Sequence, residues 1–331
     1  MSSLLAYAGI AGSRIRKQGR SGFVILTYHR IIKRCAPNEN VQDGMFVEPS
    51  NFDSHVRFLK RHFQIVPLHS IMRKGAGNSL SRPLCALTFD DGWDDFYEYA
   101  YPVLKAHDVP ATVFLATDFI GTGHWMWTDR LALLIQRRAE SATSGDIERE
   151  STDPIVNALE KIGGHMRSRT ETAIRMLKGQ RLDKIEAVIA ELGIRWNIEP
   201  KMTTRGFLTW AEIREMFSSG LITFGSHTAG HNILTTLFDA EVKRELLRSG
   251  EVLVSERIVV PGFIPFCYPN GSYDNKIVSM VGKAGYHLAV TTERGWNAYT
   301  SDDPYRLRRI SIHQDICSTV AMLECRIAGF I

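Results

Sequence analysis

The sequence predicts an α/β fold, a deformed (β/α) barrel of seven or eight parallel strands with a helical insertion. Two patterns point there. Short apolar runs recur along the chain, and several are apolar on both faces, as strands of a parallel sheet covered by helices tend to be. Amphipathic helical stretches separate them, giving the repeated βα units from which barrels are built.

Taken in order, residues 1–20 form a helical, basic N-terminal segment and residues 21–331 the barrel domain. The strand-like runs are "FVILTY" (23–28), "FQIV" (63–66), "LCALTF" (84–89), "TVFLAT" (112–117), "LITFGS" (221–226), "FIPFCY" (263–268), "HLAVTT" (287–292) and "LRRISI" (307–312). Between them, "SNFDSHVRFLKRH" opens on a Ser cap and puts Phe52, Val56 and Leu59 on one face. "TWAEIREMFSSG" has Thr209 as cap, Glu212 three residues on, and Gly220 as its stop. The stretches "DAEVKRELLRSGEVL" and "YDNKIVSMVGKAG" read similarly. Residues from about 130 to 205 hold no good strand and read as amphipathic helices inserted between the fourth and fifth strands.

The bulk numbers suit this reading. A chain of 331 residues, 44% hydrophobic and 23% charged, can bury a large core. The net charge of +4 is small, and no dense Lys/Arg tract with interleaved aromatics occurs, so nucleic acid is not the expected partner. The five cysteines (Cys35, Cys85, Cys267, Cys317 and Cys325) are scattered, odd in number and free of CxxC spacing, which suits a reducing compartment. In "MSSLLAYAGIAGSRIRKQGR" the basic residues follow the apolar stretch, whereas an export signal carries them in front. No stretch approaches the ~20 apolar residues of a membrane span. The expectation is a cytoplasmic protein. Arg14, Arg16, Lys17 and Arg20 could touch the inner membrane surface, although a solvated helix end is the plainer reading.

The chemistry lies where strands end. Residues 87–95 read "LTFDDGWDD", an apolar strand that runs into Asp90 and Asp91. Successive side chains on a strand point to opposite sides, so two acids in series seldom serve one structural purpose. Asp-Gly is also a common turn pair, and Asp94 could cap the next helix. His29 follows the first strand, "YPNG" follows the sixth, and "FGSHTAGHNILT" places His227 and His231 four apart after the fifth. In a parallel barrel these ends share one face, where catalytic residues gather. Two histidines and a carboxylate make a three-ligand set with an open coordination position, the form of catalytic zinc sites.

"TFDDG" (88–92) and "SHTAGH" (226–231) resemble the two signature motifs of the polysaccharide deacetylases, carbohydrate esterase family 4 with its nodulation-protein-type domain. The resemblance spans about residues 23–312 and implies a deformed (β/α) barrel. It also implies that Asp90 is the general base and that Asp91, His227 and His231 hold a divalent ion, zinc first, with cobalt, nickel or manganese as alternatives. "LTYHRI" (26–31) resembles the circularly permuted branch that contains the biofilm poly-N-acetylglucosamine deacetylases. That likeness favours His29 as the acid, with His313 in "ISIHQ" as runner-up. The family's Arg-Pro-Pro-Tyr-type motif is altered here to "FCYPNG" (266–271), with Cys267 in place of the Arg. Another cation must then orient Asp90, and Arg309 is the candidate, a strand-end ion pair being its alternative role. The oxyanion donor falls near Tyr268 and Asn270. Trp125 and Trp127, in "GHWMWTDRL" (123–131), either stack on sugar or pack against the insertion.

The function implied is removal of N-acetyl groups from amino sugars of a polysaccharide, oligosaccharide or lipid-linked glycan. A small cyclic-amide or purine-catabolic amidohydrolase and a non-catalytic carbohydrate-binding protein are the alternatives. The intact ligand set counts against the first and Asp90 against the second.

Overall fold

The structure is a computed structural model that describes residues 2–33, 44–71, 81–141, 150–300 and 303–331. Cys35, counted above among reduced cysteines, lies outside them. Seven parallel strands form a closed barrel: β1 (Gly22–Tyr28), β2 (Leu84–Phe89), β3 (Ala111–Leu115), β4 (Ile222–Ser226), β5 (Pro265–Cys267), β6 (Leu288–Arg294) and β7 (Leu307–Ser311). Each pairs with its neighbour in sequence, and β1 closes the ring by pairing with both β2 and β7. The barrel is irregular. One residue pair, Ser226 and Phe266, joins β4 to β5, and the register between β6 and β7 shifts between Leu307 and Arg309.

The run at 63–66 is not an eighth barrel strand. Its Gln64–Ile65 pair extends beside Leu84 and Cys85, on an edge of β2 that β1 and β3 leave free near its start. The helix expected from Ser50 begins at Pro49, where the missing N–H costs nothing, and no side chain caps it. Phe52, Val56 and Leu59 are buried as its pattern requires. Helix Trp210–Ser218 carries the full capping box of Thr209 and Glu212.

Alternation along the strands sets the site. Phe23, Ile25, Leu84, Ala86, Val290 and Leu307 belong to one buried cluster, with Leu68 and Ile71 packed on it. Every second residue continues the same series: Thr27 on β1, Thr88 and then Asp90 on β2, and Arg309 on β7. Polar groups thus replace apolar ones in that buried series as the strands reach their C-terminal ends.

Residues 123–206 form a second compact unit. Its helices Trp127–Glu140, Pro154–Glu160, Met166–Leu177 and Leu182–Arg195 bury their own core, including Leu131, Leu134, Val156, Leu177 and Val188. Arg195 forms a bidentate pair with Glu160 there. Among the described residues, no helix is long and apolar enough to cross a membrane.

Candidate active site

Asp90 is buried and receives both arms of the Arg309 guanidinium, at 2.7 Å to Oδ1 and 2.8 Å to Oδ2. Arg309 is almost fully enclosed, and its other donors reach the Thr291 carbonyl (2.9 Å), Thr27 Oγ1 (3.0 Å), Thr88 Oγ1 (3.2 Å) and Cys267 Sγ (3.2 Å). A planar fork suits such a bidentate clamp, which an ammonium could not reproduce. Burial pushes the Asp90 carboxyl up, but the charge and hydrogen bonds of Arg309 outweigh it and hold the group below its usual range. Cys267 donates its thiol to Asp90 Oδ2 at 3.6 Å, and burial keeps that thiol protonated.

Asp91 turns away from Asp90 because its backbone enters the left-handed region at φ 76°. That conformation is uncommon for a residue with a Cβ and persists only where the surroundings enforce it. Its Oδ1 lies 3.4 Å from His227 Nε2 and 3.2 Å from His231 Nε2, while Oδ2 accepts from Trp93 Nε1 at 2.8 Å. The histidines sit on a loop after β4, with His231 also at positive φ (56°), rather than on a helix face. The His227 Nδ1–H donates to the Cys267 carbonyl at 2.8 Å, which leaves Nε2 as the lone-pair nitrogen facing Asp91. Burial, then the neighbouring His231, lowers His227 to about 4, so its ring is neutral at physiological pH.

This donor set fits a divalent ion. Asp91, His227 and His231 offer ligand atoms all within 4.8 Å of one another. Donors about 2.1 Å from a tetrahedral ion stand roughly 3.4 Å apart, close to the two separations from Asp91. Asp90, His227 and Cys267 also converge, but Arg309 already pairs with Asp90 and would repel a cation, and the Cys267 thiol stays protonated.

His29 follows β1 and brings Nε2 to 3.8 Å from Asp90 Oδ2. The His313 ring is instead engaged by Asp315. Asn270 adopts φ 58° in the turn after β5, and its side-chain amide donates to Ser272. Tyr268 directly follows β5. Its ring is buried beside Phe266 and Tyr273, its hydroxyl donates to the Tyr305 carbonyl, and its backbone N–H donates to the Val290 carbonyl at 3.3 Å. Trp125 and Trp127 take the packing alternative within the helical unit. Trp125 donates its indole N–H to the Thr204 carbonyl, and Trp127 packs against the helical core.

Sequence reasoning missed Arg30, Trp93 and Asp95. Arg30 Nε donates to Asp95 Oδ2 at 2.7 Å, and its guanidinium stands 4.4 Å from the Trp93 ring centre. Burial pushes Asp95 up to about 6 against the pull of Arg30, leaving it charged at neutral pH. The acid pair "WDD" after the motif is a visible signal, but the cap reading fell on Asp94, and it is the neighbouring Asp95 whose side chain turns to Arg30.

A barrel whose strand ends carry a clamped carboxylate beside an Asp-His-His cluster defines a hydrolase-type site, and comparison with known proteins supplies the family. The polysaccharide deacetylase family model matches residues 77–289, and the chain belongs to that family. A putative polysaccharide deacetylase, YxkH of Bacillus subtilis, is 27% identical over 134 residues, covering 39% of this chain and 45% of the relative. The poly-beta-1,6-N-acetyl-D-glucosamine N-deacetylase of Staphylococcus epidermidis is 27% identical over 131 residues, covering 37% and 45%. The matches thus span about half the length of these curated relatives. Among solved structures, the Streptococcus pyogenes deacetylase PplD in complex with acetate has a TM-score of 0.57 at 19% identity, covering 89% of this chain and 94% of that one. IcaB from Ammonifex degensii has a TM-score of 0.56 at 17% identity, covering 92% and 97%. At these identities the structural matches establish the shared fold.

Proposed function

We propose that this protein is a metal-dependent hydrolase that removes N-acetyl groups from the amino sugars of a glycan. The observation that carries the reading is the division of two adjacent acids, Asp90 onto a guanidinium and Asp91 onto two histidines. The family membership and the relative named for poly-beta-1,6-N-acetyl-D-glucosamine support the substrate class.

Asp91, His227 and His231 would hold the ion. When bound, it supplies Lewis acidity toward the acyl oxygen and makes water a better nucleophile at neutral pH. Asp90 takes the proton of the attacking water. Its depressed pKa keeps it in the accepting form, and Arg309 fixes its direction. His29, 3.8 Å from Asp90, gives a proton to the departing amine. The Asn270 N–H in the turn at 268–271 serves the oxyanion, since Pro269 has no N–H and those of Tyr268 and Gly271 donate to the Val290 and Tyr268 carbonyls. Zinc is the proposed native metal, from the mixed nitrogen and oxygen donor set. A reducing, cytoplasmic location remains our reading. The described cysteines, Cys85, Cys267, Cys317 and Cys325, are all free, which supports it. Recovery of the protein outside the cytoplasm on fractionation would overturn it.

The test is acetate release from acetylated chito-oligosaccharides and β-1,6-linked N-acetylglucosamine oligomers, with and without chelator. The expected result is one free amine per acetate, lost on chelation and restored by zinc. Metal-replete protein that releases acetate from neither glycan would refute the reading.

A further inference from the structure

The residues that follow β1 and β2 are bound together by a contact outside the reacting groups. The two strands are neighbours in register, Tyr28 opposite Phe89, and the Asp90 N–H donates to the Tyr28 carbonyl at 3.1 Å. His29 leaves β1 as Asp90 leaves β2. Two residues past His29, the Ile31 N–H donates to Asp95 Oδ1 at 2.9 Å, and Arg30 Nε donates to Asp95 Oδ2 at 2.7 Å. Both oxygens of one buried carboxylate therefore hold the segment just beyond His29, while β1 holds the segment just before it. The same Arg30 stands 4.4 Å from the centre of the Trp93 ring, which also stacks on Phe207 at 4.6 Å. The Trp93 indole N–H in turn fixes Asp91 Oδ2.

We propose that Asp95, Arg30 and Trp93 form a clasp that sets the separation of His29 from Asp90 and holds Asp91 toward its two histidines. This rests on the reading of His29 and Asp90 as acid and base. None of the three touches the reacting atoms in this account, so they are positioning residues. The geometry gives each a distinct task. Asp95 anchors the His29 segment at two points, so His29 cannot swing without breaking charge-assisted bonds. Trp93 satisfies one Asp91 oxygen, which leaves the other for the histidines and helps enforce the left-handed backbone there. Arg30 links the two tasks through its bond to Asp95 and its stacking on Trp93.

A merely structural ion pair would lower all activities in step with the folded fraction. The clasp predicts separate effects. Asp95→Ala should lower kcat on an acetylated chito-oligosaccharide about 10–100-fold with KM little changed, following the usual cost of losing an outer-shell partner. Its kcat on an aryl acetate, whose leaving group needs no proton, should change much less. Asp95→Asn keeps an acceptor for the Ile31 N–H and should show the same selectivity more weakly, which covers the case of a poorly folding Ala variant. Trp93→Phe keeps the ring but not the N–H, and apo-protein titrated with cobalt should bind roughly 10–100-fold more weakly. An unchanged glycan-to-ester ratio in both Asp95 variants, or unchanged cobalt affinity in Trp93→Phe, overturns the clasp. His29→Ala in the same assay separates the causes. If it leaves the ratio unchanged, the acid assignment fails and the clasp with it. If it shifts the ratio while the Asp95 variants do not, the clasp alone fails.

Discussion

Replacing Arg309 with Met tests the reasoning about Asp90 at its most exposed point. The guanidinium is enclosed and spends its donors on Asp90, Thr27, Thr88, Thr291 and Cys267. Methionine fills much of the same volume and supplies none of them. Breaking a buried pair while leaving one charge behind typically costs about 3–5 kcal/mol, and that is the loss expected for Arg309→Met in chemical unfolding at pH 7. The sign with pH follows from Asp90. In the native protein Arg309 holds its carboxyl below the usual range, so the pair stabilises above the unfolded carboxylate pKa and is lost as pH falls through the lower folded value. Without Arg309, burial meets the lesser pull of His227 and His29 and raises the carboxyl. Stability should then decline as pH rises above about 4, and the acid limb of the pH–rate profile should move upward. Asp90→Asn added to Arg309→Met should recover part of the lost stability, because no buried charge remains. A cost below about 1 kcal/mol, an unmoved acid limb, or a double variant no more stable than Arg309→Met would refute the argument.

Three further outcomes follow from the same geometry. His29→Ala should lower glycan turnover about 10²–10⁴-fold without changing metal affinity, while His313→Ala, whose ring is engaged by Asp315, should be nearly silent; the reverse pattern in steady-state kinetics would move the acid to β7. His55 is buried, faces the Cys317 carbonyl at 2.8 Å, and is lowered by burial to about 4. It remains neutral in the fold, so stability should fall as pH drops from about 6.5 to 4, by up to roughly 3 kcal/mol from this group, and pH-dependent melts of His55→Gln should show a shallower fall. Gly271 lies at φ 68°, where a Cβ would stand 1.9 Å from Thr292 Oγ1, so Gly271→Ala should lower Tm and destabilise by roughly 1–3 kcal/mol.

The strands were legible because both-face apolar runs such as "FVILTY" and "LCALTF" admit few other buried structures at that length. Closure of the barrel was not, since the pairing of β1 with β7 joins segments nearly the whole chain apart and leaves no local trace. The run at 63–66 had the composition of a strand but only two residues that find a partner. "LRRISI" shows the same limit at one residue. Alternation says that Arg308 and Arg309 point opposite ways but not which points in. The structure buries Arg309 and leaves Arg308 exposed, at the place where the β6–β7 register shifts. The chemical residues at 90, 91, 227 and 231 could be picked out because acids and histidines ending apolar strands have few structural uses. Their spacing did not reveal how the loop after β4 brings the histidines together, which depends on positive φ at Thr228 and His231. The pairing of Arg30 with Asp95 beside Trp93 left no clear mark, because an exposed ion pair and an enclosed one look alike in sequence.

Asp90 and Asp91, adjacent in sequence, are assigned different work. Asp90→Asn tests this assignment most directly, with zinc affinity and acetate release measured on the same protein. Undiminished zinc binding through Asp91, His227 and His231 is expected, with deacetylation lowered by at least about 10²-fold. Near-native acetate release, or loss of zinc together with activity, would contradict it.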